Sequence, residues 1–232
     1  MKELYNLEDI QNEKKPLATR AYEILHEKII TMELRPGHNI DEKETIESIG
    51  IGRTPVREAL LRLAFEDLLQ FIPNKGFIVK PLTLQDVKAM FEALRVIERG
   101  AATIAISRDS TLVLPQMEKY HEMVKEAIKK RDLLKLVMAN HNFHIYFAKC
   151  TQNEYLVRAL NDVRNHLNRL AYLSFGGVVD LSGDLQKHYE SVCQEHTQII
   201  EFLKAKKLNP LLEVIERHIN SFQQRIVDYL TS

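Results

Sequence analysis

The spacing of hydrophobic residues divides the chain into two parts of different character. In the first part, apolar residues recur at helical spacing between Leu17 and about Met32 and predict an amphipathic helix. A short helix follows near Glu42–Ile49. After a glycine turn, a third helix runs from about Arg53 to Asp67. The apolar segment Phe71–Val79 is interrupted by a turn and predicts a β-hairpin.

After residue 82 the pattern becomes that of long amphipathic helices, which we expect to pack as an antiparallel bundle. The predicted helices span roughly 84–107, 113–130, 132–150, 153–174, 185–206 and 208–230, with one break in the glycine-containing stretch 176–183. The expected organisation is a mobile lead-in over 1–16, a first domain over 17–82 and an all-helical domain over 83–232. The predicted fold class is mainly α, a winged helix-turn-helix with a small β-hairpin followed by an all-α antiparallel helical bundle.

Composition and the lack of long apolar runs indicate where in the cell the protein is expected. The chain has 232 residues, 45% of them hydrophobic and 28% charged, which suits two globular domains. Its apolar runs are too short to span a bilayer, and the acidic residues near Met1 differ from a signal peptide. Cys150 and Cys193 have no metal-type or disulfide-type spacing. We expect a cytoplasmic protein with reduced thiols and no membrane partner.

The third helix begins with cationic side chains. Arg53 and Arg57 lie four residues apart and share a face, and an arginine fork is the commonest reader of guanine. Thr54 can donate to a phosphate, while Lys75 and Gly76 lie at the tip of the hairpin, where glycine permits close approach to DNA. The net charge of zero does not itself suggest nucleic acid, although five cationic against three acidic side chains lie between Arg53 and Lys80. If this helix is considered alone, the alternative to a DNA-reading helix is an ordinary surface helix whose arginines are solvated.

Four polar residues in the helical part have the spacing of a metal site. Asn140 and His144 share a helix face, and His196 and His218 lie on the last two helices, on either side of a turn. Three imidazoles and one amide oxygen suit a borderline divalent ion such as zinc, nickel or manganese. On spacing alone, histidines that are merely hydrogen-bonded in the core are the more frequent explanation.

Residues 17–82 resemble the DNA-binding domain of GntR-type transcription regulators. The signature is Leu34-Arg35-Pro36-Gly37, then Gly50-Ile51-Gly52-Arg53-Thr54-Pro55-Val56-Arg57-Glu58-Ala59-Leu60, then Gly76. The resemblance implies DNA contacts from Lys43, Arg53, Thr54, Arg57 and the wing at Gly76. Gly52 stands where the family usually has Ser, which removes a hydroxyl that would cap the helix.

Residues 84 to about 230 resemble the all-helical FCD effector domain of the FadR branch of that family. The motifs are Leu94-Arg95-Val96-Ile97-Glu98, Asn140-His141-Asn142-Phe143-His144, Glu195-His196 and His218-Ile219. In metal-binding members the ligands fall at Asn140, His144, His196 and His218, with Asp usual at the first position. The neutral Asn leaves the ion's charge uncompensated and would favour a carboxylate effector. Arg95 is the implied partner of that carboxylate, or else it pairs with Glu92 or Glu98.

Together these observations predict a transcription regulator that binds a palindromic double-stranded DNA operator as a homodimer. Repression is the commoner mode that the family resemblance implies. A divalent metal and a small organic acid effector would bind in the helical domain. One alternative is a metal-free regulator that binds an apolar ligand such as an acyl thioester. A metal-dependent enzyme is less favoured, because the histidines lack an HExxH-like base and Glu195 is expected to point off the face of His196.

Overall fold

The chain divides into two units, Met1–Leu82 and Thr83–Ser232. The computed structural model describes residues 15–176 and 184–231. The expected mobile lead-in lies almost wholly outside the described residues, as does most of the expected break at 176–183. None of the helices in the described part is long and apolar enough to cross a membrane.

The first unit combines three helices with a small sheet. Its elements are α1 (Leu17–Ile30), β1 (Asn39–Ile40), α2 (Glu42–Ile49), α3 (Arg53–Phe65), β2 (Leu69–Ile72) and β3 (Gly76–Val79). The sheet is antiparallel in the order β1-β3-β2, with Phe71 opposite Phe77 in the hairpin. The winged helix-turn-helix is confirmed. The additional strand β1 was not predicted, because two residues are too few to show an alternating pattern.

The core of the first unit lies between α1, α3 and the sheet. Leu25, Leu60, Leu63 and Phe77 are all buried there. The sequence alone predicts Leu61 in the same core as its apolar neighbours Leu60 and Leu63, but Leu61 is 53% exposed. Neighbouring helical residues point about 100° apart, so burial of Leu60 turns Leu61 toward solvent.

Six helices make up the described part of the second unit. They are α4 (Leu84–Ala105), α5 (Leu114–Lys130), α6 (Leu133–Lys149), α7 (Glu154–Gly176), α8 (Asp184–Lys204) and α9 (Leu208–Thr231). Helix α6 packs between α5 and α7, while α9 packs against α4 and α8. A capping box at Thr83 and Asp86 begins α4, and the Asp132 side chain caps α6. The predicted all-helical domain is confirmed.

Candidate metal centre and DNA-binding surface

Three histidines from three helices meet inside the second unit. His144 on α6, His196 on α8 and His218 on α9 are all buried. One ligand nitrogen from each lies within 4.8 Å of the others. The sequence placed these imidazoles on separate helices without fixing their distances, and the packing of α6, α8 and α9 brings them together.

The outward-facing nitrogens of two of these rings contact carboxylates. Nδ1 of His218 donates to Oε2 of Glu195 at 2.8 Å, and Nδ1 of His144 lies 2.9 Å from Oε1 of Glu98. With the protons on Nδ1, the two Nε2 lone pairs face each other at 3.2 Å. Two acceptors at that distance repel unless a cation lies between or beside them.

The remaining two predicted ligands also present polar atoms that need a partner. Both ring nitrogens of His196 and the Oδ1 atom of Asn140 are buried. None of these three atoms has a hydrogen-bond partner among the described residues. The His196 ring is held by stacking on Phe143, with centroids 3.8 Å apart. Buried polar atoms are normally satisfied, so this nitrogen-rich donor set fits a divalent metal ion.

The environment keeps the candidate ligands in the form that binds metal. Burial lowers the pKa of His144 and of His196 well below the ordinary value, with neighbouring cationic groups adding to the effect. Neutral imidazole is the ligand form, so no proton has to be removed near neutral pH before these two rings can bind an ion.

Two buried carboxylates next to the ligands were missed as functional residues. Burial raises the pKa of Glu98, and the Arg164 guanidinium, 2.8 Å away, opposes that shift. Burial also acts to raise the pKa of Glu195, but the hydrogen bond from His218 and the charge of Arg217 outweigh it, so that this pKa is lowered. Glu195 was expected to point off the face of His196 on its own helix. That expectation overlooked His218 on the neighbouring helix, whose Nδ1 donates to Glu195.

A small cavity of about 20 Å³ lies beside the cluster. Asn140 and His218 line it together with Arg164 and His188, neither of which was singled out from the sequence.

Arg95, the residue implied for the effector, lies elsewhere. Its Nε donates to Glu216 on α9 at 2.6 Å, and its Nη2 donates to Asn220 at 2.6 Å. This pairing differs from the expected alternative with Glu92 or Glu98. No spacing rule in the sequence identifies Arg164.

The residues implied for DNA contact lie on the surface of the first unit. Arg53, Thr54 and Arg57 are exposed on the first turns of α3. Arg57 Nη1 lies 3.6 Å from Glu42 of α2, and Lys43 is exposed one residue further along that helix. Gly52 caps α3 without a side-chain hydrogen bond, so the helix start keeps backbone donors for a phosphate.

The wing forms a tight turn between β2 and β3. Its backbone enters the left-handed region at Asn74 and Gly76, with φ of +64° and +80°. Lys75 is exposed at this turn. A side chain at Gly76 would be strained by the backbone conformation, and nothing lies within 4 Å of the position a Cβ would take. The wing therefore offers a cation on a narrow, rigid tip.

Comparison with known proteins agrees with this arrangement. Residues 17–79 match the family described as bacterial regulatory proteins, gntR family, and residues 89–221 match the FCD domain. The chain therefore belongs to the GntR family of transcription regulators, with an FCD domain as its second unit. It is a DNA-binding regulator of transcription, and the predicted resemblance is confirmed.

Relatives of this chain carry the same two parts. The uncharacterized HTH-type transcriptional regulator YdhC of Bacillus subtilis (strain 168) is 26% identical over 206 residues, 88% of each chain. The HTH-type transcriptional repressor RspR of Escherichia coli (strain K12) is 22% identical over 215 residues, 93% of this chain and 91% of its own. The solved structure of E. coli McbR/YncC has the same fold, with a TM-score of 0.75, 20% identity, and coverage of 94% and 98%. YdhC and RspR are both named as transcriptional regulators, in agreement with the sequence-based expectation that this chain is a regulator and not an enzyme.

Proposed function

We propose that this regulator is a cytoplasmic repressor that binds a palindromic operator as a homodimer. A divalent metal ion held by Asn140, His144, His196 and His218 forms part of a site for a small carboxylate effector, which controls binding to the operator. Each chain carries one recognition helix, α3. Since two copies related by a twofold axis match an inverted repeat, a homodimer is the natural reader of a palindrome. RspR is named as a repressor, which supports repression as the mode of regulation here.

The observation that carries the metal part of the proposal is the arrangement of His144 and His218. Their Nε2 atoms face each other at 3.2 Å while the Nδ1 atoms are directed to Glu98 and Glu195. Carboxylates behind ligating imidazoles fix the ring orientation and increase the basicity of the ligand nitrogen. Such an ion would supply a positive charge and an open coordination position for an effector carboxylate.

Metal content of the purified chain tests the site. We expect about one ion per chain after reconstitution with zinc, nickel or manganese, and none in the His144→Ala/His196→Ala double variant. His121→Ala is the matched control. It removes another buried imidazole, in contact with His196 and outside the ligand set, and should retain the ion. Absence of bound metal in the parent protein would reduce the cluster to structural histidines and favour a metal-free regulator.

The DNA-reading residues are tested by selecting binding sites from random duplexes. An inverted repeat should be enriched. Arg57→Ala should then weaken binding to it by about 1–3 kcal/mol, since an arginine on the exposed start of α3 is placed to read a base. Arg62→Ala on the same helix is the control, because Arg62 is engaged with Glu66 and the Tyr22 ring. Enrichment of a single half-site, or equal losses in both variants, would count against the proposed reader.

A further inference from the structure

The cavity beside the histidine cluster is too small for an organic acid. At about 20 Å³ it exceeds only slightly the space that one water molecule needs, about 10–15 Å³. Its wall nevertheless holds polar atoms that need a partner. Among the described residues, Nε of Arg164 and Nε2 of His188 are buried without a hydrogen bond. The cavity therefore has the chemistry of an anion site without the volume.

A larger groove lies close by in the same unit. It measures about 620 Å³, within the usual range for ligand pockets of about 300–1,000 Å³. The end of α5, the start of α6, the end of α7 and the start of α8 form its walls. The lining is mixed. Ile128, Leu133, Leu136 and Leu185 give it an apolar side, and Arg131, Asp132, Gln186 and Tyr189 give it a polar one.

One side chain borders both spaces. Phe175 near the end of α7 lines the cavity and also lines the groove. On α6, Leu136 lines the groove and Asn140 lines the cavity, one helical turn apart on the same face. The separation along α6 is therefore about 6 Å, four residues at a rise of about 1.5 Å each. The Phe175 ring is shared by the walls of both spaces.

We propose that cavity and groove together bind an unbranched monocarboxylic acid of about six to eight carbons. This inference rests on the proposed function, and it specifies which carboxylates the site selects. The carboxylate lies at the cavity, near Arg164, His188 and the metal ligands, and the alkyl chain passes the displaced Phe175 ring into the groove. About four to five methylene groups span the roughly 6 Å along α6 between the residues that line the two spaces, so shorter acids do not reach the groove.

Charge and polarity favour this orientation of the acid over the reverse. Arg164 is 4% exposed and brings a cation to the cavity, where Glu98 already neutralises one of its nitrogens. Its Nε has no hydrogen-bond partner among the described residues, and an anionic oxygen would supply one. The apolar side chains of the groove instead favour contact with methylene groups. Each methylene group that leaves water on binding adds to the favourable binding free energy. A second carboxylate at the far end of the chain would gain no comparable buried partner.

Calorimetric titration of the zinc-loaded full-length protein with acetate, butyrate, hexanoate and octanoate tests the proposal. Acetate and butyrate should bind with Kd values within about twofold of each other. Beyond five carbons the affinity should rise about threefold to fourfold per methylene, as expected for apolar burial. Ile128→Glu should weaken octanoate at least tenfold and leave acetate unchanged. Met123→Glu on the same helix, outside the groove, is the matched control.

Each other outcome overturns the inference in a distinguishable way. Acetate binding without any gain from longer chains would refute the groove and leave the metal and carboxylate site standing. Equal losses of acetate and octanoate in Ile128→Glu, with no such loss in Met123→Glu, would show that the groove contributes nothing specific to the alkyl chain and would refute its place in the site. Octanoate binding that survives in the His144→Ala/His196→Ala variant would refute the position of the carboxylate. If none of the acids binds, the proposed carboxylate effector fails together with the groove.

Discussion

Glu98 and Glu195 change the charge balance expected for the metal site. A neutral Asn140 with three imidazoles brings no negative charge, yet a carboxylate lies directly behind each of two histidines. Both carboxylates are shared with an arginine, Arg164 and Arg217 respectively. An ion would therefore be compensated only in part, and an anionic effector keeps an electrostatic reason to bind.

The two carboxylates should differ in what their loss costs. Glu98→Ala leaves Arg164 buried without its charged partner, so we expect a loss of about 3–5 kcal/mol in the free energy of unfolding. Glu195→Ala should cost less, because the Arg217 side chain is 55% exposed and remains solvated. Each should weaken metal binding about 10–100-fold. Urea unfolding of the metal-free protein and competition with a chelator measure the two effects, and equal stability losses would contradict this assignment.

Asn140→Asp should tighten metal binding by about tenfold, since the number of charged ligands tunes affinity. It should also weaken the binding of acetate to the loaded site, because the added charge competes for the same ion. Asn142→Asp adds the same charge to α6 on another face, where Asn142 bonds the Met138 carbonyl, and should change neither quantity. Chelator competition and acetate titration on both variants measure these effects. Unchanged metal affinity in Asn140→Asp would remove Asn140 from the ligand set.

At the scale of elements, the turn between α2 and α3 depends on two glycines with different roles. Gly50 ends α2 with φ of +65°, a conformation that costs other residues about 1–2 kcal/mol. Gly52 begins α3 with φ of −62° and supplies no side-chain cap. A Cβ would meet nothing within 4 Å at either position. The difference between them is therefore conformational and not steric.

Serine substitutions at these two positions should have opposite effects. Gly52→Ser supplies an N-cap oxygen and should stabilise α3 by a few tenths of a kcal/mol. Gly50→Ser forces a side chain into the left-handed region and should destabilise the turn by about 1 kcal/mol. Hydrogen exchange of the α3 amides in the full-length protein reports both changes. Equal protection in the two variants would show that helix ends do not limit the opening of α3.

Helical periodicity predicted most elements of this fold, while contacts between elements were harder to predict. The bounds of α2 were predicted as observed, because Asp41, Gly50 and the apolar pattern all mark the same helix. The strand β1 and the exposure of Leu61 depend on tertiary packing, which the local pattern does not contain. Likewise, spacing grouped His196 with His218. The contact of Glu195 with His218 and the contact of Arg164 with Glu98 join different helices, so no spacing rule reveals them.

At the scale of the whole molecule, the proposed effector and the proposed operator are two ligands of one chain. The proposed DNA-reading residues belong to the first unit and the candidate metal centre to the second. Control of one by the other requires a coupling free energy, typically about 1–3 kcal/mol, which corresponds to a change in affinity of about 5–150-fold. Linkage makes this coupling reciprocal. In the proposed homodimer, which has two acid sites and one operator, the factor by which saturating acid weakens operator binding is the square of the factor by which the operator weakens acid binding at each site.

Reciprocity gives a quantitative test of regulation with octanoate as the probe. Fluorescence anisotropy of a labelled operator duplex, with and without saturating octanoate, should show weaker DNA binding by a factor of about 5–150. Calorimetric titration of octanoate into free and operator-bound protein should give the square root of that factor for each of the two sites of the proposed homodimer. In the His144→Ala/His196→Ala variant both factors should fall to one. Any other relation between the two factors in the parent protein would mean that octanoate releases DNA by another route, such as loss of the folded dimer, because coupled binding sites must obey the linkage relation.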